Sequence, residues 1–142
     1  MSAALLLGLW LPGHICVAIT PSLGHRVFFL TGAEQAEFRE GEYLLFKKRL
    51  DKAGTNRLLK KVGCSGGQRL SVKNGEYRCE GKYLGRALAV NSLGEPLSPF
   101  IFNGPVPAGS LFMIGSHPRS HDSRYFGFIH ADTVLNKAYP LW

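Results

Sequence analysis

The sequence predicts a mainly β, antiparallel domain that follows one N-terminal membrane helix. No Asp, Glu, Lys or Arg occurs before Arg26, and Ala3 to Ile19 (AALLLGLWLPGHICVAI) is nearly all apolar, about the shortest run that spans roughly 30 Å of hydrocarbon as a helix. Beyond it, short extended runs alternate with turn residues, with no repeat or long helical period. Asn74-Gly75, between two such runs, is the strongest short hairpin signal a sequence offers. A length of 142 residues suits one ordinary domain. The organisation read is therefore an anchor over 1–20 and an extracytoplasmic domain over 21–142.

Each element has its own signal. A cleavable signal peptide competes with the anchor, but the run lacks a basic n-region and a clean small-x-small site. Arg26 to Leu30 (RVFFL) and Tyr43 to Phe46 (YLLF) are strand-like. Thr31 to Glu42 between them carries four Glu and reads as a short surface helix or an irregular arm. Leu58 to Val62 is a further strand, and Arg69 to Val72 and Glu76 to Cys79 flank the Asn74-Gly75 turn. Ser110 to Ile114 (SLFMI) and Phe126 to Ile129 complete the set, the latter after the polar stretch SHPRSHDSR. Cys16 reads as a packing residue of the apolar run. Cys64 and Cys79 stand on either side of two strands and a turn, so a disulfide between them is geometrically plausible in an oxidising compartment. Two free buried thiols are the alternative.

Composition narrows the function classes. A chain that is 45% hydrophobic and 19% charged is too apolar to be disordered. Its net charge of +7 favours nucleic acid, anionic lipid or an acidic partner without choosing among them. From Lys47 to Arg86 twelve Lys or Arg stand against Asp51, Glu76 and Glu80, which reads as a lipid-facing or simply a solvated basic face. No aromatic-basic repeat or zinc motif supports nucleic acid.

The catalytic options are few. A Ser-His-Asp set would have to draw on His117, His121 and Asp122, and no Gly-x-Ser-x-Gly elbow is present. A zinc set of His117, His121, Cys64 and Cys79 lacks any Cys-x-x-Cys pair, so no metal or other cofactor is expected. A Ser-Lys pair remains. An amine base must be neutral, and deprotonating a lysine of ordinary pKa ~10.4 at pH 7 costs roughly 4.6 kcal/mol. A strand lysine among Leu58, Leu59 and Val62 escapes that cost by desolvation. Adjacent strand residues point to opposite faces, so only one of Lys60 and Lys61 can serve. Taken singly, each lysine reads as a solvated strand residue, Ser22 as a turn serine, and Asp122 with Arg124 as a surface pair worth about 0 to 1 kcal/mol.

The order of short motifs is more specific. Thr20-Pro21-Ser22-Leu23, GEYLLF (41–46), LLKKV (58–62) leading to Gly67, PAGSLF (107–112), SHDSRYFG (120–127) and a YPLW ending follow one another. This succession resembles the type I signal peptidases, most of all the TraF-type conjugative-transfer peptidases that mature pilin subunits. The resemblance implies a signal-peptidase-like β domain behind a membrane anchor, with Ser22 as nucleophile and Lys60 as general base. It also implies that Ser120 orients the lysine amine, that Thr20 joins the Ser22 N–H in the oxyanion hole, and that Asp122 and Arg124 form a structural ion pair. Gly24 and Gly66-Gly67-Gln68 depart from the family, which has a Pro soon after the nucleophile and Pro-Gly-Asp after the lysine.

The implied protein is a membrane-anchored Ser-Lys endopeptidase in the bacterial inner membrane, its catalytic domain facing the periplasm. Its partners would be a pilin-like or other exported precursor and membrane lipid, with no nucleic acid. The acyl-enzyme would be opened by water, or by an amine of the same substrate to give a ring, in a groove walled by residues such as Phe28, Phe29 and Phe126. Phe28, Phe29 and Leu30 read equally as core strand residues, the role expected of at least half of them. A general signal peptidase and a noncatalytic membrane-tethered module are the alternative readings.

Overall fold

Strands rich in Leu, Phe and Val bury both faces where they lie between partners, and here they build two antiparallel sheets. The computed structural model describes residues 15–17, 27–33, 37–50 and 54–141. The larger sheet contains β1 (Ile15–Val17), β2 (Val27–Gly32), β3 (Tyr43–Leu50), β4 (Gly54–Ser65), β9 (Ser110–Ile114), β10 (Ile129–His130) and β11 (Val134–Pro140), in the order β1-β2-β11-β3-β4-β9-β10. The smaller sheet orders β7 (Lys82–Arg86), β6 (Glu76–Cys79), β5 (Arg69–Lys73) and β8 (Gly104–Pro105). Asn74 and Gly75, with φ of 53° and 79°, make the β5–β6 turn, both in the left-handed region that such a two-residue turn requires. Gln68 closes the turn after β4: its Oε1 accepts from the Ser65 N–H at 2.9 Å and the Ser65 hydroxyl at 3.0 Å.

Three expectations need correction. Ile15–Val17, placed by the sequence in the anchor helix, are extended and pair with β2; β-branched residues at both ends suit a strand. The remainder of the anchor lies outside the described residues, among which no helix is long and apolar enough to cross a membrane. Phe126 to Ile129 is not a strand. Asp122 caps a one-turn helix, α1 (Ser123–Phe126), its side chain accepting from the Arg124 N–H, and Gly127 at φ 80° turns the chain into the two-residue β10. Phe28 is a core strand residue rather than a groove wall on the Lys60 face. It is fully buried with Leu30, Leu45 and Ala138, whereas register puts Phe29, through Tyr139, on the Lys60 side. The described part of the Thr31 to Glu42 segment is irregular after β2, with a turn at Glu40-Gly41.

A bulge in β4 separates two cores. Lys60 lies opposite Leu44, and Val62 opposite Met113, so these residues share one face with Phe46 and Leu111. Past Gly63 the register shifts, and Cys64 pairs with Phe112 instead. The extra residue turns Cys64 to the opposite face. There it joins Leu70, Tyr77, Val106 and Ile114 and is disulfide-bonded to Cys79 of β6, with Cα atoms 5.5 Å apart. That bond ties the two sheets together and leaves neither cysteine for a metal.

Gly63 has little room for a side chain, since a Cβ there would sit 3.1 to 3.2 Å from three atoms of buried Ile114. Gly63→Ala is expected to destabilise the domain by about 1–3 kcal/mol, the usual cost of overpacking, as a lower urea midpoint with the disulfide intact. An unchanged midpoint would show that Ile114 repacks freely.

Candidate active site

A lysine on the inner face of a central strand loses most of its hydration, and Lys60 is only 6% exposed. Burial is the chief cause that holds its pKa below the ordinary lysine range; the charge of Asp122 opposes the shift and that of Arg124 favours it. Its amine donates a 2.9 Å hydrogen bond to the Ser120 hydroxyl, sixty residues away in sequence. Lys61 points to the other face, opposite Tyr43 and Ile114, and is half-buried. Strand alternation thus separates the two lysines as the sequence required.

Ser120 is held from behind. Its loop follows β9 and precedes α1, and its backbone N–H donates to the His117 carbonyl at 3.0 Å. Asp122 and Arg124, 0% and 3% exposed, meet in a two-point contact: Nε donates to Oδ1 and Nη2 to Oδ2, both at 2.9 Å. Asp122 Oδ2 also accepts from the Gly115 N–H at the end of β9, at 2.9 Å. Arg124 donates to the carbonyls of Ser120 (3.3 Å) and Arg86 (2.8 Å). Burial opposes the Arg124 charge, but the bond to Asp122 and its charge outweigh that penalty, so its pKa is raised. This is a buried, fully bonded pair rather than the surface pair that the two residues suggest singly.

Ser123 was not singled out from the sequence; its hydroxyl accepts from the Met113 N–H at 2.8 Å and pins the loop to β9. The readable signal was Asp122 as a helix cap followed by Ser-Arg. His121 stacks on Tyr125, ring centroids 5.9 Å apart, and both line a cavity of about 270 Å³ with Arg119, Leu88 and Leu97. Burial, the first cause, lowers the His121 pKa. Thr20 and Ser22 lie outside the described residues. The structure therefore brings together Lys60, Ser120, Asp122 and Arg124 from β4, the loop and α1.

Removing one partner of a buried pair strands the other charge, at a cost of about 3–5 kcal/mol. Asp122→Ala is expected to lose stability of that order in denaturant titrations, while Arg124→Lys, which keeps charge but not the planar fork, loses less. Equal, small losses in both would contradict the bonded-pair reading.

The family model for Signal peptidase, peptidase S26, matches residues 15–142. The conjugal transfer protein TraF of Agrobacterium fabrum (strain C58 / ATCC 33970) is 43% identical over 54 residues, covering 38% of this chain; the match spans 30% of that relative's length. A signal peptidase I from Enterococcus faecalis V583 superposes with a TM-score of 0.48 at 21% identity, over 72% of this chain and 97% of that one.

Proposed function

The chain belongs to the signal peptidase family S26, and from that premise we propose that it is a serine endopeptidase in which Ser22 is the nucleophile and Lys60 the general base. The observation that carries this reading is the buried lysine amine held by a serine hydroxyl at 2.9 Å. In the neutral state that burial favours, Lys60 takes the proton of the Ser22 hydroxyl as its oxygen attacks the scissile carbonyl. The Ser22 N–H and the Thr20 hydroxyl stabilise the oxyanion, and the Lys60 ammonium then returns the proton to the leaving amine. Ser120 fixes the direction of the amine, and the Asp122–Arg124 pair fixes Ser120.

The substrate in this reading is a pilin-like exported precursor, presented at a bilayer to which the apolar stretch preceding β1 anchors the catalytic domain. The domain faces the periplasm of the bacterial inner membrane. The acyl-enzyme at Ser22 is opened by water or by an amine of the same substrate, which reaches a high effective concentration when oriented. Phe29, 37% exposed, shares the Lys60 face, and Phe126 packs against the neighbouring cluster; both are suited to a groove wall. The intact mass of the product separates the two outcomes, because a ring is lighter by one water than the linear chain and has no free N-terminus.

Ser22→Ala and Lys60→Ala are each expected to lower precursor processing by at least about 10²- to 10⁴-fold, the usual contribution of a catalytic base, while Lys61→Ala stays active. The neutral amine is the working form, so activity rises with pH and is lost as pH falls through the lowered Lys60 pKa. The midpoint should lie below the ordinary lysine value of ~10.4. A rate independent of pH, or an active Lys60→Ala variant, would remove lysine from the base role.

A further inference from the structure

Strands β3 and β4 pair from Tyr43 opposite Lys61 to Leu50 opposite Gly54, but their outer neighbours stop short. β11 follows β3 only to Phe46, and β9 meets β4 only from Lys61 onward. Positions 47–50 and 54–58 therefore project past the neighbouring strands as a two-stranded ribbon; residues 51–53 lie outside the described residues.

The two faces of this ribbon differ. Alternation and register place Lys47, Arg49, Thr55 and Arg57 on one face, all exposed; Lys48, Asn56 and Leu58 on the other are half-buried, and the Lys48 amine lies 5.2 Å from the centre of the Phe126 ring. Lys47 stands directly opposite Arg57, an arrangement of like charges that destabilises an antiparallel pair. Elsewhere among the described residues some cations are paired, Lys82 with Glu40, Lys137 with Glu42, Arg78 and Arg86 with Glu76 and Arg124 with Asp122, while others such as Arg69, Lys73 and Arg119 are not. None of these faces a like charge directly across a strand pair as Lys47 faces Arg57. Among the described residues no acid forms an ion pair with Lys47, Arg49 or Arg57. Repulsion is thus built into the exposed face of a projecting ribbon, and an external anion relieves it.

We propose that this face docks on the phosphate headgroups of an anionic bilayer. The uncharged N-terminal stretch, mostly apolar from Ala3 onward, enters the same sheet as β1. One sheet therefore joins an apolar run to a cationic face, the two signals that together give stable membrane attachment. Each Lys or Arg near such a surface contributes a factor of about five in binding. The cationic face is also the one opposite Lys60, so headgroup contact leaves the Lys60 face uncovered. The inference uses none of the peptidase chemistry but rests on the membrane attachment of the N-terminal stretch proposed above.

The test is amide hydrogen exchange of positions 47–50 and 54–58 in the full chain, reconstituted in phosphatidylcholine vesicles with or without one part in about three of phosphatidylglycerol. The expected result is slowing on the order of tenfold in the anionic vesicles, reversed at 1 M salt, where screening acts within about 3 Å. Slowing should vanish in the triple variant Lys47→Gln, Arg49→Gln, Arg57→Gln, which removes repulsion and should melt no lower than the parent. It should persist in Lys73→Gln, a change on the other sheet. Equal exchange in the two vesicle types overturns the proposal. So does equal or greater slowing by a DNA oligonucleotide in neutral vesicles, which would assign the face to nucleic acid.

Discussion

The buried contact between Asp122 and Arg124 is the constraint on which the remainder of the structure depends. Two charges removed from water cost several kcal/mol each unless geometry and further bonds repay them, and here their further hydrogen bonds go to backbone groups. Through those bonds the pair joins the end of β9 at Gly115, the end of β7 at Arg86 and the loop that carries Ser120. The backbone of Arg124 adds the Phe100 N–H at 2.7 Å, and its carbonyl lies 3.1 Å from the Tyr77 hydroxyl. Both sheets and the loop thus meet at one two-residue device.

That device also sets the electrostatics around Lys60. A lone aspartate near the amine would keep it protonated, and a lone arginine would drive the proton off. Because the two charges oppose each other at the lysine, neither dictates its state, and burial is left as the leading influence. The fold thereby makes the basicity of one amine a matter of packing: Leu44 opposite it and the strands on either side keep water out.

Much of this was legible in the sequence, for identifiable reasons. The Asn74-Gly75 hairpin and the SLFMI strand carry local signals, and strand alternation puts Lys60 and Lys61 on opposite faces, the choice of Lys60 resting on the family resemblance. β11 escaped notice because its pairing is wholly non-local: it inserts between β2 and β3, about a hundred residues away, and its side chains are mostly half-buried, without a clean two-residue period. β7 is a short, largely exposed edge strand with a glycine inside it, which weakens any strand signal. Phe126 to Ile129 reads as a strand from its aromatic content, but Asp122, four residues before Phe126, caps a helical turn that ends there. The depth of Asp122 and Arg124 could not be read from two charged residues in a polar stretch. It comes from the smaller sheet folding over them, a tertiary fact with no local pattern.

The bulge at Gly63 bears on how the chain finds this arrangement. Any pairing of β4 that omits the extra residue would turn Cys64 to the Lys60 side, away from Cys79. Oxidation of the two thiols is therefore a covalent audit of strand alignment: a misaligned β4 cannot be sealed, and a sealed one carries Lys60 on the face where Ser120 waits. The same bond that staples the sheets proofreads the site, though it takes no part in its chemistry.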